Sequence, residues 1–165
     1  MEYITSPLQA VHNKSSFTCG QTSLDNYIMR QASQDLKRHI SVVFVLTDSS
    51  NNIKGYYTLS SDNILRDIIP PEVKKKMPYY QDLPVILLGR LAVDKKYQGN
   101  KLGEMLLIDA LKRSYNTSRN TIGAIAIVTD PVDNKASAFY KKYGFISLPD
   151  SRRMFLSMQT IKQLF

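Results

Sequence analysis

Cysteine occurs once in this sequence and histidine twice, and the apolar runs are short. A single thiol, Cys19, excludes an internal disulfide framework and fits a cytoplasmic protein. His12 and His39 stand far from other soft ligands at metal-site spacing, which argues against a metal centre. No apolar stretch approaches the roughly 18 residues that a membrane span needs, so no membrane partner is expected. The N-terminus, MEYITSPLQAVHNK, lacks the apolar centre of a signal peptide. Internal repeats, linkers and low-complexity tracts are missing too, and 165 residues suit one domain, 1–165, able to bury a substantial core.

What the chain has in excess is positive charge. Its 22 lysines and arginines against 14 acids leave a net +8. Such a balance favours a polyanionic partner, either nucleic acid or a phosphate-bearing cofactor.

The stretch 86–111, ILLGRLAVDKKYQGNKLGEMLLIDAL, organises the rest. Ile86 to Val93 reads as a strand buried on both faces. Asp94 to Tyr97 is turn-like, and a helix over about 100–116 follows, with Leu102, Leu106, Leu107, Ala110 and Leu111 on its apolar side. A helix that starts directly after a strand offers unpaired N–H groups to phosphate. Upstream, residues 3–10 suit a short edge strand because of Pro7. Leu24, Ile28, Ala32 and Leu36 share one face of a helix over about 22–38, with Thr22 or Ser23 as its cap. Ser41–Thr47 and Ile53–Ser60 form a hairpin across the Asp48–Asn52 turn. Residues 63–84 form an ordered excursion broken by Pro70 and Pro71. It leaves Lys74, Lys75, Lys76, Tyr79 and Tyr80 at least partly exposed, with loop packing the expected role of the tyrosines and base stacking the alternative. Thr121–Thr129 is a second apolar strand, parallel to the first through a βαβ crossover. Asp133 caps a helix over 134–143 that ends at Gly144. Phe145–Leu148 pairs antiparallel with Met154–Met158, and the tail forms a short helix. The sum is an α/β (α+β) fold, a central twisted mixed sheet with helices on both faces.

LGRLAVDKKYQGNKLGEMLL, with NKASAFYKKYGF downstream, resembles the GNAT superfamily of acetyl-coenzyme A-dependent N-acetyltransferases, over most of the chain. The family motif Q/R-x-x-G-x-G/A is matched at Gln98 and Gly103 but departs at Lys101, where the family has glycine. A lysine there is expected to keep a negative φ, to alter the cofactor geometry and to lend its charge to phosphate instead. The N-terminal pattern Leu8…His12…Phe17-Thr18-Cys19-Gly20…Leu24-Asp25-Asn26-Tyr27 resembles, more narrowly, the GNAT-type toxins of bacterial type II toxin–antitoxin systems.

The resemblance implies acetyl-CoA as cofactor and the α-amino group of aminoacyl-tRNA as acceptor, so that translation is inhibited. It implies a DNA-binding antitoxin and a homodimer as assembly partners. Carried onto this sequence, the pyrophosphate falls to Gln98, Gly99, Asn100, Lys101, Leu102, Gly103 and Glu104. The pantetheine arm falls to the strand edge Leu91, Ala92 and Val93, with Asn134 and Phe139 beside it. Tyr140 matches the family tyrosine that protonates the departing thiolate; without the resemblance it reads first as a packing residue among Phe139 and Tyr143. No strong general base is evident, and Cys19 reads as a structural thiol. Arg90, Lys95, Lys96, Lys141 and Lys142 are candidates for tRNA phosphates. The alternative functions are an acetyltransferase for protein N-termini or small amines, and a non-catalytic module in which Lys101 marks a lost site.

Overall fold

The computed structural model describes residues 2–165. Seven strands form one mixed sheet in the order β1-β2-β3-β4-β5-β7-β6. They are β1 (Ser6–Pro7), β2 (Val42–Thr47), β3 (Ile53–Leu65), β4 (Asp82–Val93), β5 (Ala126–Thr129), β6 (Ile146–Ser147) and β7 (Met154–Ser157). The helices are α1 (Thr22–Asn26), α2 (Ala32–Lys37), α3 (Pro71–Lys74), α4 (Leu102–Asn120), α5 (Asn134–Lys142) and α6 (Met158–Lys162). None of the described helices is long and apolar enough to cross a membrane. The mixed α/β architecture agrees with the expectation from sequence. The chain folds as two compact units, and β3, β4 and α4 each pass from one into the other.

The first unit comprises the described residues up to Ser60 together with Gly89–Ala110. Its hairpin β2–β3 is antiparallel and sets Val43 against Thr58 and Val45 against Tyr56. Strand alternation separates two faces. One carries Val43, Val45 and Tyr56, which pack with Phe17, Tyr27, Ile28 and Ala32 from the N-terminal turn and helix. The other carries Phe44, Gly55 and Tyr57. There a Cβ on Gly55 would stand 2.7 Å from Leu106 Cδ1 of α4 and 3.0 Å from the Ala92 carbonyl oxygen, so glycine is what lets α4 lie this close to β3. Asp109 of α4, itself buried, fastens this face by accepting from Tyr57 Oη at 2.7 Å and from Ile4 N at 2.8 Å.

The helix expected over 22–38 is present, with one irregularity. A π turn, Tyr27–Gln31, joins α1 to α2, and Ala32 N reaches back to the Tyr27 carbonyl. Neither Thr22 nor Ser23 caps it. Gln21 occupies the cap position without a side-chain capping bond to the helix, and Asp25 instead reaches back to accept from Cys19 N at 2.8 Å and Thr18 Oγ1 at 3.2 Å.

The second unit comprises Ser61–Leu88 and Leu111–Phe165. Ile64, Ile69, Leu83, Val85, Ala126, Val128, Leu148 and Phe155 form its core. β4 and β5 are parallel, as the βαβ reading requires, pairing Ile86–Leu88 with Ile127–Thr129. β5 is shorter than the apolar run at 121–129 promised. α4 continues to Asn120, and Thr121 N and Ile122 N both donate to the Thr117 carbonyl to close it. That leaves Ile122 exposed and the strand beginning only at Ala126. β7 pairs antiparallel with both β5 and β6, giving the closing hairpin.

Candidate active site

In the first unit, the end of β4, a 3₁₀ turn (Lys95–Tyr97) and the start of α4 make a continuous turn around residues 91–104. Its geometry is fixed from below. The Asp94 carboxylate is buried and accepts from Lys96 N at 2.9 Å and Thr18 N at 3.1 Å, while Lys95 N donates to the Thr18 carbonyl at 2.8 Å. Gln98 lies over this point. Its Nε2 donates to the carbonyls of Cys19 and Val93, both at 2.8 Å. The Gln98 amide is therefore a clamp that ties strand end, turn and N-terminal segment together.

This accounts for the N-terminal motif Phe17-Thr18-Cys19-Gly20. It is the platform on which the turn rests, and Gly20, at φ 97°, sits where a Cβ would press to 3.2 Å from Lys95 Cε. Cys19 is half-buried, and its thiol is pushed up to about 11, first by burial and then by the Asp25 hydrogen bond, so it is no nucleophile near neutral pH.

Beyond the clamp the backbone is left-handed twice, at Gly99 (φ 86°) and at Lys101 (φ 62°). The second value corrects the expectation of a negative φ for Lys101. The turn into α4 demands the left-handed conformation there whatever the side chain. A lysine adopts it at a cost of roughly 1–2 kcal/mol, met by the clamp and by α4. The loop thus keeps a glycine-type course without the glycine.

α4 opens with Leu102, and the first backbone bond into its N-terminal turn runs from Met105 N to the Lys101 carbonyl. The N–H groups of Leu102, Gly103 and Glu104 consequently lack acceptors within the helix. A left-handed turn leading into the N-terminus of a 19-residue helix is a concave array of N–H donors at a positive dipole end. Nothing lies within 4 Å of where a Cβ on Gly99 would stand, so the array is open. These features fit a pyrophosphate. Lys95, Lys96, Asn100 and Lys101 are exposed around it, and Glu104 is half-buried in the first turn. β4 reaches this turn through Leu91, Ala92 and Val93, having run on past Leu88, the last residue of its ladder with β5.

Arg90, expected to face RNA, has its guanidinium 3.5 Å from the centroid of the Tyr27 ring. It belongs to a buried set in which Asp35 accepts from Gln31 at 2.9 Å and from Tyr27 Oη at 2.8 Å. Those hydrogen bonds, Gln31's first, and the charges of Arg90 and Arg38 hold the Asp35 carboxyl below the usual range.

In the second unit, Asp133 caps α5 as expected, accepting from Ala136 N at 2.8 Å, and Gly144 (φ 97°) follows its end. Tyr140 is buried on α5, with Phe139 and Phe145 each 5.3 Å away edge to face. It lies beside Thr129 at the end of β5, and Thr129 Oγ1 donates to the Leu88 carbonyl at 2.8 Å. Burial pushes the phenol up to about 12, opposed by the Thr129 hydroxyl, so Tyr140 holds its proton at neutral pH. Thr129 escaped the sequence reading; the signal was a lone hydroxyl closing the apolar run AIVT. Asn134, Lys141 and Lys142 are exposed on α5, and Phe139 is half-buried, 5.2 Å from Tyr143. Among the described residues no three His, Cys, Asp or Glu side chains gather as a metal site.

Comparison with known proteins gives three findings. Residues 39–147 match the family model described as an acetyltransferase (GNAT) domain. The "tRNA-acetylating toxin" of Mycobacterium tuberculosis (strain ATCC 25618 / H37Rv) is 36% identical over 151 residues, covering 91% of this chain and 89% of that protein. Among solved structures, AtaT complexed with acetyl-methionyl-tRNAfMet superposes with a TM-score of 0.90 at 26% identity, covering 99% of each chain. AtaTR bound with AcCoA superposes at 0.85, with 27% identity over 98% of this chain and 96% of that one.

Proposed function

This chain belongs to the GNAT acetyltransferase family, and on that premise we propose that it is a toxin that acetylates the α-amino group of aminoacyl-tRNA and so halts translation. The observation that carries the reading is the left-handed, clamped turn at 98–103 leading into α4, a phosphate cradle in a chain similar over 91% of its length to a tRNA-acetylating toxin.

Acetyl-CoA, when bound, supplies the activated thioester. The N–H groups of residues 99–104 hold its pyrophosphate. The backbone of Leu91, Ala92 and Val93 would pair with the amides of the pantetheine arm, and one of these N–H groups would polarise the thioester carbonyl. Asn134 and Phe139 are the further residues assigned to hold the arm. With the cofactor bound, Tyr140 would be the residue to protonate the leaving thiolate; the amine would lose its proton to water, and water would return a proton to the Tyr140 phenolate. An α-amine beside an ester is weakly basic, so no dedicated base is required. Lys95, Lys96, Lys141 and Lys142 remain for tRNA phosphates, and Arg90 serves by fixing Tyr27. Residues 1–165 act as one functional domain, in the cytoplasm, as a homodimer held in check by a DNA-binding antitoxin.

The test is label transfer from acetyl-CoA to charged tRNA, with uncharged tRNA, peptides and free amino acids as controls. Label on charged tRNA alone, reduced roughly 10²–10⁴-fold in Tyr140→Phe, is expected. Label on peptide amines instead would move the assignment to the protein or small-amine acetyltransferases.

A further inference from the structure

The excursion between β3 and β4 is not part of the cradle, yet it is built with care. A 3₁₀ turn (Arg66–Ile68) and α3 carry the chain over the second unit, and Ile69, Val73 and Met77 pack against that unit's core. Arg66 fixes the far side. Its Nε donates to the Pro78 carbonyl and one of its terminal nitrogens to the Lys74 carbonyl, both at 3.0 Å, and its backbone N–H reaches the Gln81 carbonyl at 2.9 Å. The same guanidinium lies 4.4 Å from the centroid of the Tyr79 ring. The expected loop packing does not occur: Tyr79 is 91% exposed and Tyr80 66%.

Two adjacent aromatic rings held out in water by an anchored backbone need a partner to be worth their exposure. Their neighbours say which kind. Residues 74–80, Lys-Lys-Lys-Met-Pro-Tyr-Tyr, hold three lysines and no acid, and Lys75 and Lys76 are exposed. Protein-binding surfaces select tyrosine but reject lysine from their centres. Nucleic-acid surfaces want both, since each base presents a π face and each nucleotide a phosphate. Asp67, Glu72 and Asp82 flank the stretch and confine its positive charge to the side of the tyrosines in sequence.

We propose that Tyr79, backed by Arg66, and Tyr80, with Lys75 and Lys76 just upstream in sequence, form a stacking platform for unpaired nucleotides of the tRNA substrate. The proposal rests on the tRNA reading above. The platform grips RNA and takes no part in the chemistry.

The experiment measures the affinity of the full chain for bulk uncharged tRNA by fluorescence anisotropy, beside its affinity for acetyl-CoA. Tyr79→Ala/Tyr80→Ala is expected to weaken tRNA binding about tenfold or more and to raise KM for charged tRNA with kcat unchanged. Tyr79→Phe/Tyr80→Phe, which keeps both rings, should stay within about twofold of the native chain. Acetyl-CoA affinity and Tm should hold in both. Native-like tRNA binding by the alanine pair would overturn the platform while leaving the acetylation reading intact. So would a change in oligomeric state at unaltered tRNA affinity, which would make the tyrosines a contact between copies. Failure of the native chain to bind tRNA would sink the functional reading, and the platform with it.

Discussion

Tyr140 stands beside the Thr129 hydroxyl, which donates to the Leu88 carbonyl, so Thr129 is placed to support the phenolate that remains once Tyr140 has given up its proton. Thr129→Val removes this support and the buried bond to the Leu88 carbonyl, so it should cost about 1–3 kcal/mol of stability and lower kcat several-fold, whereas Thr129→Ser should restore kcat. A pH titration separates the two consequences of Tyr140's burial. The unfolded chain ionises this phenol near 10 and the native one only at about 12. Stability from this source is therefore complete below about pH 10 and lost as pH climbs toward 12. Burial raises Tyr56 and Tyr27 as well, which steepens the decline. Denaturant midpoints at pH 8 and pH 11 check this, and equal midpoints would refute it. At Lys101 the left-handed φ makes a separate forecast. Lys101→Gly should leave stability unchanged or raise it by up to about 1 kcal/mol, and Lys101→Val should lower it, both readable as shifts in Tm. If acetyl-CoA affinity also survives Lys101→Gly, the lysine charge is not what holds phosphate.

At the scale of elements, one glycine sets how α4 meets the sheet. Gly55→Ala would drive a methyl against Leu106 and the Ala92 carbonyl, and only the leucine can move. The expected loss is about 1–3 kcal/mol, with weaker acetyl-CoA binding because the start of α4 shifts, measurable by denaturation and calorimetry. How far the elements were legible depends on what forms them. The β-branched apolar run at 41–47, its return at 53–60 and the apolar run at 86–93 announced β2, β3 and β4, because burial writes directly into side-chain choice. The spacing by four at Leu24, Ile28, Ala32 and Leu36 also announced a helix. It held one further clue, since an ideal helix repeats every 3.6 residues and a stripe at every fourth residue drifts off the face. The π turn at Tyr27–Gln31 takes up that drift. The Gln98 clamp and the hand of Lys101 were not legible. They arise from carbonyls and dihedrals of the folded chain, to which a residue's identity gives little clue. Thr129 stayed hidden for the same reason, because its partners lie on other elements.

For the whole molecule, a net charge of +8 bears on how the substrate arrives. If several lysines meet tRNA phosphates, affinity should fall tenfold or more between 50 and 200 mM salt, while acetyl-CoA binding changes far less; a salt-independent tRNA affinity would contradict the assignment. The ends of the sheet have a different consequence. The outermost strands in its order, β1 and β6, are two residues long, and one of them contains Pro7. Outer strands this short give another copy's strand almost no template to extend along them. On the proposed reading, in which an antitoxin holds the enzyme in check, these clipped margins should leave the released chain without a long outer strand on which further copies could add.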